Sequence, residues 1–245
     1  MTDAELAAHL ATTAGELLLS VRNSGVFSAG ALGKAGDQTA NQFLVHALRD
    51  QRPDDGLLSE EMKCDGLRLA QRRVWIVDPV DGTREYGEGR DDWAVHVGLA
   101  IDGVAAVGAV ALPGLGVTLS TDDLPPLAPI QSPPRILVSR TRPAREAIAV
   151  AEALGGELVP MGSAGAKAMA VVRGEAEIYL HLGGQYEWDN CAPAAVARAA
   201  GLHVSRADGT PLRYNRADPY LPDLLICRTE FARPVLDLVA RMASE

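Results

Sequence analysis

Trp75-Ile76-Val77-Asp78-Pro79-Val80-Asp81-Gly82-Thr83 decides how the rest of the chain is read. Arg73 to Val77, a run of apolar residues after a basic pair, predicts a buried strand that leads straight into two carboxylates, a proline, a glycine and a hydroxyl. Pro79 fixes its own φ and keeps Asp78 extended, while Gly82 lets backbone approach a ligand closely. Asp78 and Asp81 are then presented on one side of a stiff turn. Two unit negative charges roughly 4 Å apart repel by about 1 kcal/mol in bulk water and about 4 kcal/mol at an effective dielectric of 20. A partly buried pair therefore needs a counter-charge. No lysine lies between the two, and Arg84 is a single neighbour, which favours a hard metal ion bound through oxygen. The alternative reading of these nine residues is an ordinary acidic turn with helix-capping aspartates.

The chain around this stretch has the size and composition to bury it. With 245 residues, 47% hydrophobic and 22% charged, it suits one large globular domain or two small lobes. A formal net charge of −9 argues against a nucleic-acid polymer or an anionic membrane as partner, since either requires a basic face. The three cysteines, Cys64, Cys191 and Cys227, are scattered without CxxC spacing and read as core fillers in a reducing compartment. The first residues are acidic where a signal peptide is basic, and no apolar run approaches the length of a membrane span. The expected location is the cytoplasm.

Leu6, Leu10, Leu17, Leu18 and Val21 recur at helical spacing and predict an amphipathic helix over residues 3–22. The Gly/Ser/Ala-rich stretch 24–36 is expected to end it, and Phe43, Leu44, Ala47 and Leu48 mark a second helix capped near Asp37 or Asn41, with Asp37 the simpler cap. A short strand at Gly56 to Ser59 meets Glu60 and Glu61. Trp93 to Ala111 is almost purely apolar and broken at Asp102-Gly103, the signal of a two-residue hairpin; Val117 to Ser120 completes a meander. Five prolines in the eleven residues from Leu124 to Pro134 predict a linker at 125–134 between an N-terminal lobe, 1–124, and a C-terminal lobe, 135–245. Beyond it, strands at Arg135 to Ser139, Glu157 to Met161 and Ala176 to His181 alternate with helices at Ala144 to Leu154 and Ser163 to Arg173 in the α/β manner. Asn190 to Ala200 reads as an Ala-rich helix with Asp189 at its N-cap and Pro193 in its first turn. Short strands near His203 and Leu224 and a helix from about Phe231 finish the chain. None of the five histidines has metal-ligand spacing, so structural positions are expected for all of them.

The glutamate pair, then Trp-Ile-Val-Asp-Pro-Val-Asp-Gly-Thr, then Trp188-Asp189 before a small-residue helix, resembles the inositol monophosphatase superfamily in content and order. The likeness covers nearly the whole chain. Val138-Ser139-Arg140, residues 162–169 and Pro211 to Asn215 look most similar to its bacterial CysQ-type branch, which hydrolyses 3′-phosphoadenosine 5′-phosphate. The resemblance implies an α/β (α+β) fold in a layered αβαβα sandwich, a lithium-sensitive phosphomonoesterase and a homodimer. It also implies that Glu60, Asp78, the Val80 carbonyl, Asp81 and Asp189 bind two or three Mg²⁺ ions, that the Gly82 and Thr83 amides hold phosphate, and that Thr83 orients an attacking water with Glu60 at the catalytic centre. The partner of that threonine falls to Asp37 or Asn41, and Asp37 is favoured because only a carboxylate can take a proton. Ser139, Arg140 and Arg142 suit either a second phosphate or a solvated loop. Ser163 and Lys167 are candidates to face the substrate, Ser163 being equally suited to an N-cap. Rival functions are inositol monophosphatase or fructose 1,6-bisphosphatase activity on the same fold, and a non-catalytic metal- or nucleotide-binding protein.

Overall fold

A computed structural model describes residues 1–62 and 66–244, so Cys64 lies outside the described residues. The chain forms α1 (Asp3–Asn23), α2 (Ala29–Gln51), β1 (Gly56–Ser59), β2 (Arg73–Asp81), α3 (Thr83–Gly87), β3 (Ala94–Ile101), β4 (Val104–Leu112) and β5 (Val117–Ser120). There follow β6 (Arg135–Ser139), α4 (Arg145–Leu154), β7 (Glu157–Met161), α5 (Ala164–Val172), β8 (Ile178–Tyr186), α6 (Glu187–Ala199), β9 (His203–Ser205), β10 (Tyr220–Cys227) and α7 (Thr229–Met242). One sheet has the order β1-β2-β3-β4-β5 and the other β7-β6-β8-β10-β9. Helices α1 and α2 cover the outer face of the first sheet, α5 and α6 lie between the sheets, and α4 and α7 cover the outer face of the second. This is the expected αβαβα layering.

Side-chain alternation fixes those layers. In β2, Val74 and Ile76 enter the central core while Trp75 and Val77 enter the core under α1 and α2; in β10, Leu224 and Ile226 face the centre while Leu225 and Cys227 face α4 and α7. Strands buried on both faces lose the polar half of the alternation, which is why they read as continuous apolar runs. Asp102 and Gly103 both have positive φ, 50° and 77°, and close the predicted hairpin between β3 and β4. Cys191 and Cys227 are buried free thiols, as core fillers should be.

Three local expectations are corrected. The second helix starts at Ala29, so Asp37 and Asn41 lie inside α2 and neither caps it. Two of its glycines are required by close approach: a Cβ on Gly33 would sit 2.8 Å from Thr83 Cγ2, and one on Gly36 would sit 2.6 Å from the Tyr86 ring. The strand β2 continues past Val77 to Asp81. It does so through a bulge, Asp78 pairing with His96 and Asp81 with Ala94, with Pro79 at the irregularity, where a missing N–H is tolerated. Helix α6 begins at Glu187, which puts Asp189 in its first turn and Pro193 two turns in, where proline costs a hydrogen bond to the Asp189 carbonyl.

Candidate active site

The bulge at Pro79 and Val80 lets Asp78 and Asp81 reach the same spot, and the first turn of α6 brings Asp189 to it from the other side of the sequence. Carboxylate oxygens of Asp78, Asp81 and Asp189 all lie within 4.8 Å of one another. Asp78 and Asp81 are buried and Asp189 is partly so. Glu60, just past the end of β1, hydrogen-bonds the Asp78 carboxyl from the rim. Burial first, and then the charge of Glu60 and the other aspartates, pushes the Asp78 carboxyl well above its usual range. Burial and Asp189 raise Glu60 to about 7, and burial and Asp81 raise Asp189 to about 6. Burial and mutual repulsion thus make these carboxyls harder to ionise than free ones, and the nearby His96 and Lys167 only partly offset this at Asp189. A set of hard oxygen donors in that condition fits a hard divalent cation.

Asp81 behaves differently. Its carboxylate accepts hydrogen bonds from the Ser163 hydroxyl, from Ala164 N at 3.1 Å and from Gly165 N at 2.6 Å. His96 Nε2 lies 3.1 Å away, off the line of a good hydrogen bond, while His96 Nδ1 sits 3.0 Å from the Trp188 carbonyl. Burial works against the charged imidazole, but the Asp81 carboxylate and the Trp188 carbonyl beside its two nitrogens outweigh it and raise His96 above its usual range. Burial works against the ionised Asp81, but His96, Ser163 and Gly165 outweigh it and hold the carboxyl at about 2. A Cβ on Gly165 would stand 2.0 Å from His96 Nε2, so only glycine lets this ring reach Asp81. His96 has the structural position expected of it, yet its contact with a cluster aspartate was hidden in an apolar run. Its placement opposite Asp78 in the β2–β3 ladder was the one available signal, and it needed the register to be known.

Thr83 opens α3 beside the cluster. Its hydroxyl lies 3.3 Å from Asp37 Oδ1 and 3.0 Å from the Val80 carbonyl. Asn41, the other candidate partner, instead accepts a 2.7 Å hydrogen bond from the buried Ser59 hydroxyl. Burial, and then Glu61, raise Asp37 to about 6.

The remaining predicted residues are less free than the sequence suggested. Arg140 Nη2 is held by Glu85 at 2.8 Å and Glu88 at 3.0 Å, both on or beside α3, so its charge is already answered. Ser139 Oγ accepts from Arg142 N at 3.3 Å, and Arg142 is exposed. Ser163 caps α5 through Ala166 N while bonding Asp81. Lys167 is buried, donates to the Gly162 and Ser163 carbonyls and sits 5.3 Å from the Tyr179 ring centre; burial lowers it to about 8. Their side chains serve Asp81 and the α5 turn. Asp92, given no role from sequence, accepts the Gly162 amide at 2.7 Å and supports the same turn.

The inositol monophosphatase family model matches residues 2–229. The chain belongs to that family. It is 49% identical to a 3′-phosphoadenosine 5′-phosphate phosphatase of Mycobacterium leprae over 98% of this chain and 94% of that protein. It is 51% identical to a protein of the same description from Mycobacterium tuberculosis over 93% and 89%, and 30% identical to the 3′(2′),5′-bisphosphate nucleotidase CysQ of Escherichia coli over 76% and 81%. Among solved structures, CysQ from Bacteroides thetaiotaomicron, a bacterial member of the inositol monophosphatase family, superimposes with a TM-score of 0.79 at 26% identity, covering 92% of this chain and 97% of that one. An inositol monophosphatase from Staphylococcus aureus shares the fold at a TM-score of 0.77 and 19% identity, covering 94% of this chain and 93% of that one. In the described structure no helix is long and apolar enough to cross a membrane.

Proposed function

We propose that the protein is a Mg²⁺-dependent phosphomonoesterase that removes the 3′-phosphate of 3′-phosphoadenosine 5′-phosphate, leaving AMP and inorganic phosphate. The observation that carries this reading is the meeting of Asp78, Asp81 and Asp189 within 4.8 Å beside the Thr83–Asp37 contact. Relatives about half identical over almost the full chain, named for that substrate, support the choice of phosphoester.

In this reading Glu60, Asp78, the Val80 carbonyl, Asp81 and Asp189 hold two or three Mg²⁺ ions. Mg²⁺ bound there supplies positive charge to phosphoryl oxygens and acidity to water. Asp37 accepts the Thr83 hydrogen, which leaves a Thr83 lone pair facing the site to orient the attacking water. The Gly82 and Thr83 amides hold the phosphate. Asp81, already ionised, is the fixed member of the ligand set, kept in place by His96 and the α5 turn. Arg140 acts indirectly, tying α3 to the second sheet through Glu85 and Glu88, while the exposed Arg142 beside Ser139 is the cation left for a second phosphate. The enzyme works in the cytoplasm as a homodimer, consistent with its free thiols; size-exclusion chromatography with light scattering checks the assembly. The test of function is a panel of phosphomonoesters, including inositol 1-phosphate and fructose 1,6-bisphosphate, compared by kcat/KM with Mg²⁺ and with EDTA. Highest kcat/KM on 3′-phosphoadenosine 5′-phosphate, abolished by EDTA, is expected; activity undiminished in EDTA would refute the metal site.

A further inference from the structure

The turn that delivers Asp189 also gathers aromatic rings. Tyr186 stacks on Trp188 with ring centres 4.8 Å apart and planes 9° from parallel, and Tyr220 meets Tyr186 edge-on at 6.0 Å. Only 4% of the chain is aromatic, so three rings in one place is a concentration. Tyr186 and Tyr220 are paired across β8 and β10, and they remain 45% and 42% exposed although both strands run into the core. A Cβ on Gly184 would come within 2.6 Å of Tyr220, so the glycine makes room for that ring at the strand end.

Two requirements of the site account for the inner members of the cluster. The Tyr186 amide binds Asp189 Oδ2 at 2.6 Å, and the Trp188 carbonyl binds His96, so the backbone here is committed to the carboxylates. Neither contact uses an aromatic side chain or explains exposed rings at Tyr186 and Tyr220. Aromatic faces left in water at the edge of a phosphate site suit a planar heterocycle, which stacks without needing charge. An acidic protein gains by recognising the neutral end of an anionic ligand in this way.

We propose that Tyr186 and Tyr220, backed by Trp188, form the platform on which the base of a nucleotide substrate stacks while its sugar phosphate lies at the aspartate cluster. This rests on the phosphatase reading above and adds the residues that select a nucleotide over a phosphomonoester without a base. Tyr186 is three residues from Asp189, which limits the backbone separation to about 10 Å. A ring there is within reach of the same small ligand.

The test compares wild type, Tyr186→Leu, Tyr220→Leu and the corresponding Phe variants on 3′-phosphoadenosine 5′-phosphate and on glycerol 2-phosphate, which has no base. In the Leu variants the ratio of kcat/KM for the nucleotide over glycerol 2-phosphate falls roughly five- to a hundredfold, mostly through KM, and the Phe variants restore it. An equal loss on both substrates means that the rings only brace Asp189, and an unchanged ratio means that they touch nothing; either overturns the proposal while leaving the phosphatase reading intact. A wild-type enzyme that prefers glycerol 2-phosphate overturns the nucleotide reading itself, and this platform with it. A second readout needs no catalysis. Trp75 and Trp93 are buried, so quenching of tryptophan emission by adenosine in EDTA reports on Trp188. Saturable quenching in wild type that weakens in Tyr186→Leu is expected, and no quenching at millimolar adenosine counts against the platform.

Discussion

Asp78→Asn tests whether the carboxylate cluster is built for a cation, because it should make the metal-free protein more stable while destroying its activity. At the 4.8 Å separation that bounds the cluster, each pair of charges costs about 3 to 4 kcal/mol at an effective dielectric of 20. The folded protein escapes part of this by binding protons. For Asp189, raised from 3.8 to about 6, that escape has ended by pH 7.5, where the folded state carries the full penalty of about 3 kcal/mol. Replacing the Asp78 carboxyl, which costs free energy to bury whether it is ionised or forced to hold a proton, should therefore stabilise the metal-free protein by about 2 to 4 kcal/mol, or roughly 5 to 15 °C in Tm for a chain of this size. The sign with pH follows from the raised values. Carboxyls with folded pKa above the unfolded value bind more protons in the folded state, so the stability they allow is complete below about pH 4 and is lost as pH rises through about 6 for Asp189 and about 7 for Glu60. The gap between variant and wild type should thus widen from pH 5 to pH 7.5. The assay is thermal unfolding in EDTA across that range, repeated with Mg²⁺. Wild type should gain about 3 kcal/mol at a hundred times Kd, whereas Asp78→Asn should gain little. A variant less stable than wild type in EDTA, or one that keeps the full Mg²⁺ shift, would refute the reasoning.

Four other outcomes are expected. Thr83→Ala should lower kcat by at least a hundredfold with little change in KM, measured on 3′-phosphoadenosine 5′-phosphate, since its hydroxyl faces Asp37 and in the proposed mechanism serves attack, not binding. The rate should fall as pH drops through about 6, where Asp37 takes a proton and loses the charge that makes it a strong acceptor for Thr83, and Asp37→Asn should lower the plateau and remove that limb from the pH profile. Arg140→Ala should lose Tm by several degrees and lower kcat/KM equally on the bisphosphate and on inositol 1-phosphate, because Arg140 is engaged by Glu85 and Glu88; a loss confined to the bisphosphate would return it to the substrate. Mg²⁺ binding at pH 6 should release about one to two protons, read from calorimetry in buffers of different ionisation enthalpy, since Glu60, Asp78 and Asp189 start partly protonated.

What the sequence made legible was whatever is encoded by neighbours along the chain. The two-sided burial of β2, the Asp102-Gly103 hairpin and the acidic residues at element ends all depend on local pattern, and the structure has them where pattern puts them. The start of α2 was misread for a physical reason. Gly30, Gly33 and Gly36 look like a helix breaker in isolation, and two of them instead admit Thr83 and Tyr86 against the helix, contacts between residues fifty positions apart. The same turn of helix sets Asp37 against Thr83, so the error about the helix and the difficulty of choosing between Asp37 and Asn41 had one cause. Arg140 illustrates the converse. A basic residue at a strand end suggests an anion, but which anion depends on whether a carboxylate from another element arrives first, and here Glu85 and Glu88 do.

The site also divides in a way that no motif shows. Asp78 and Asp81 are three residues apart, both buried and drawn from one strand, yet burial and carboxylate neighbours raise one while His96 and a helix turn hold the other at about 2. The difference comes from the first turn of α5 and from His96, which belong to segments that the sequence gives no reason to connect with Asp81. The consequence is a cluster with one readily ionised anchor, Asp81, and three carboxyls that burial and repulsion make harder to ionise. A site in which all four were charged would strain the metal-free fold. Holding the charge on Asp81, where His96 and the α5 turn answer it, avoids that strain, and it depends on Gly165, whose missing side chain is what allows His96 to stand next to the carboxylate.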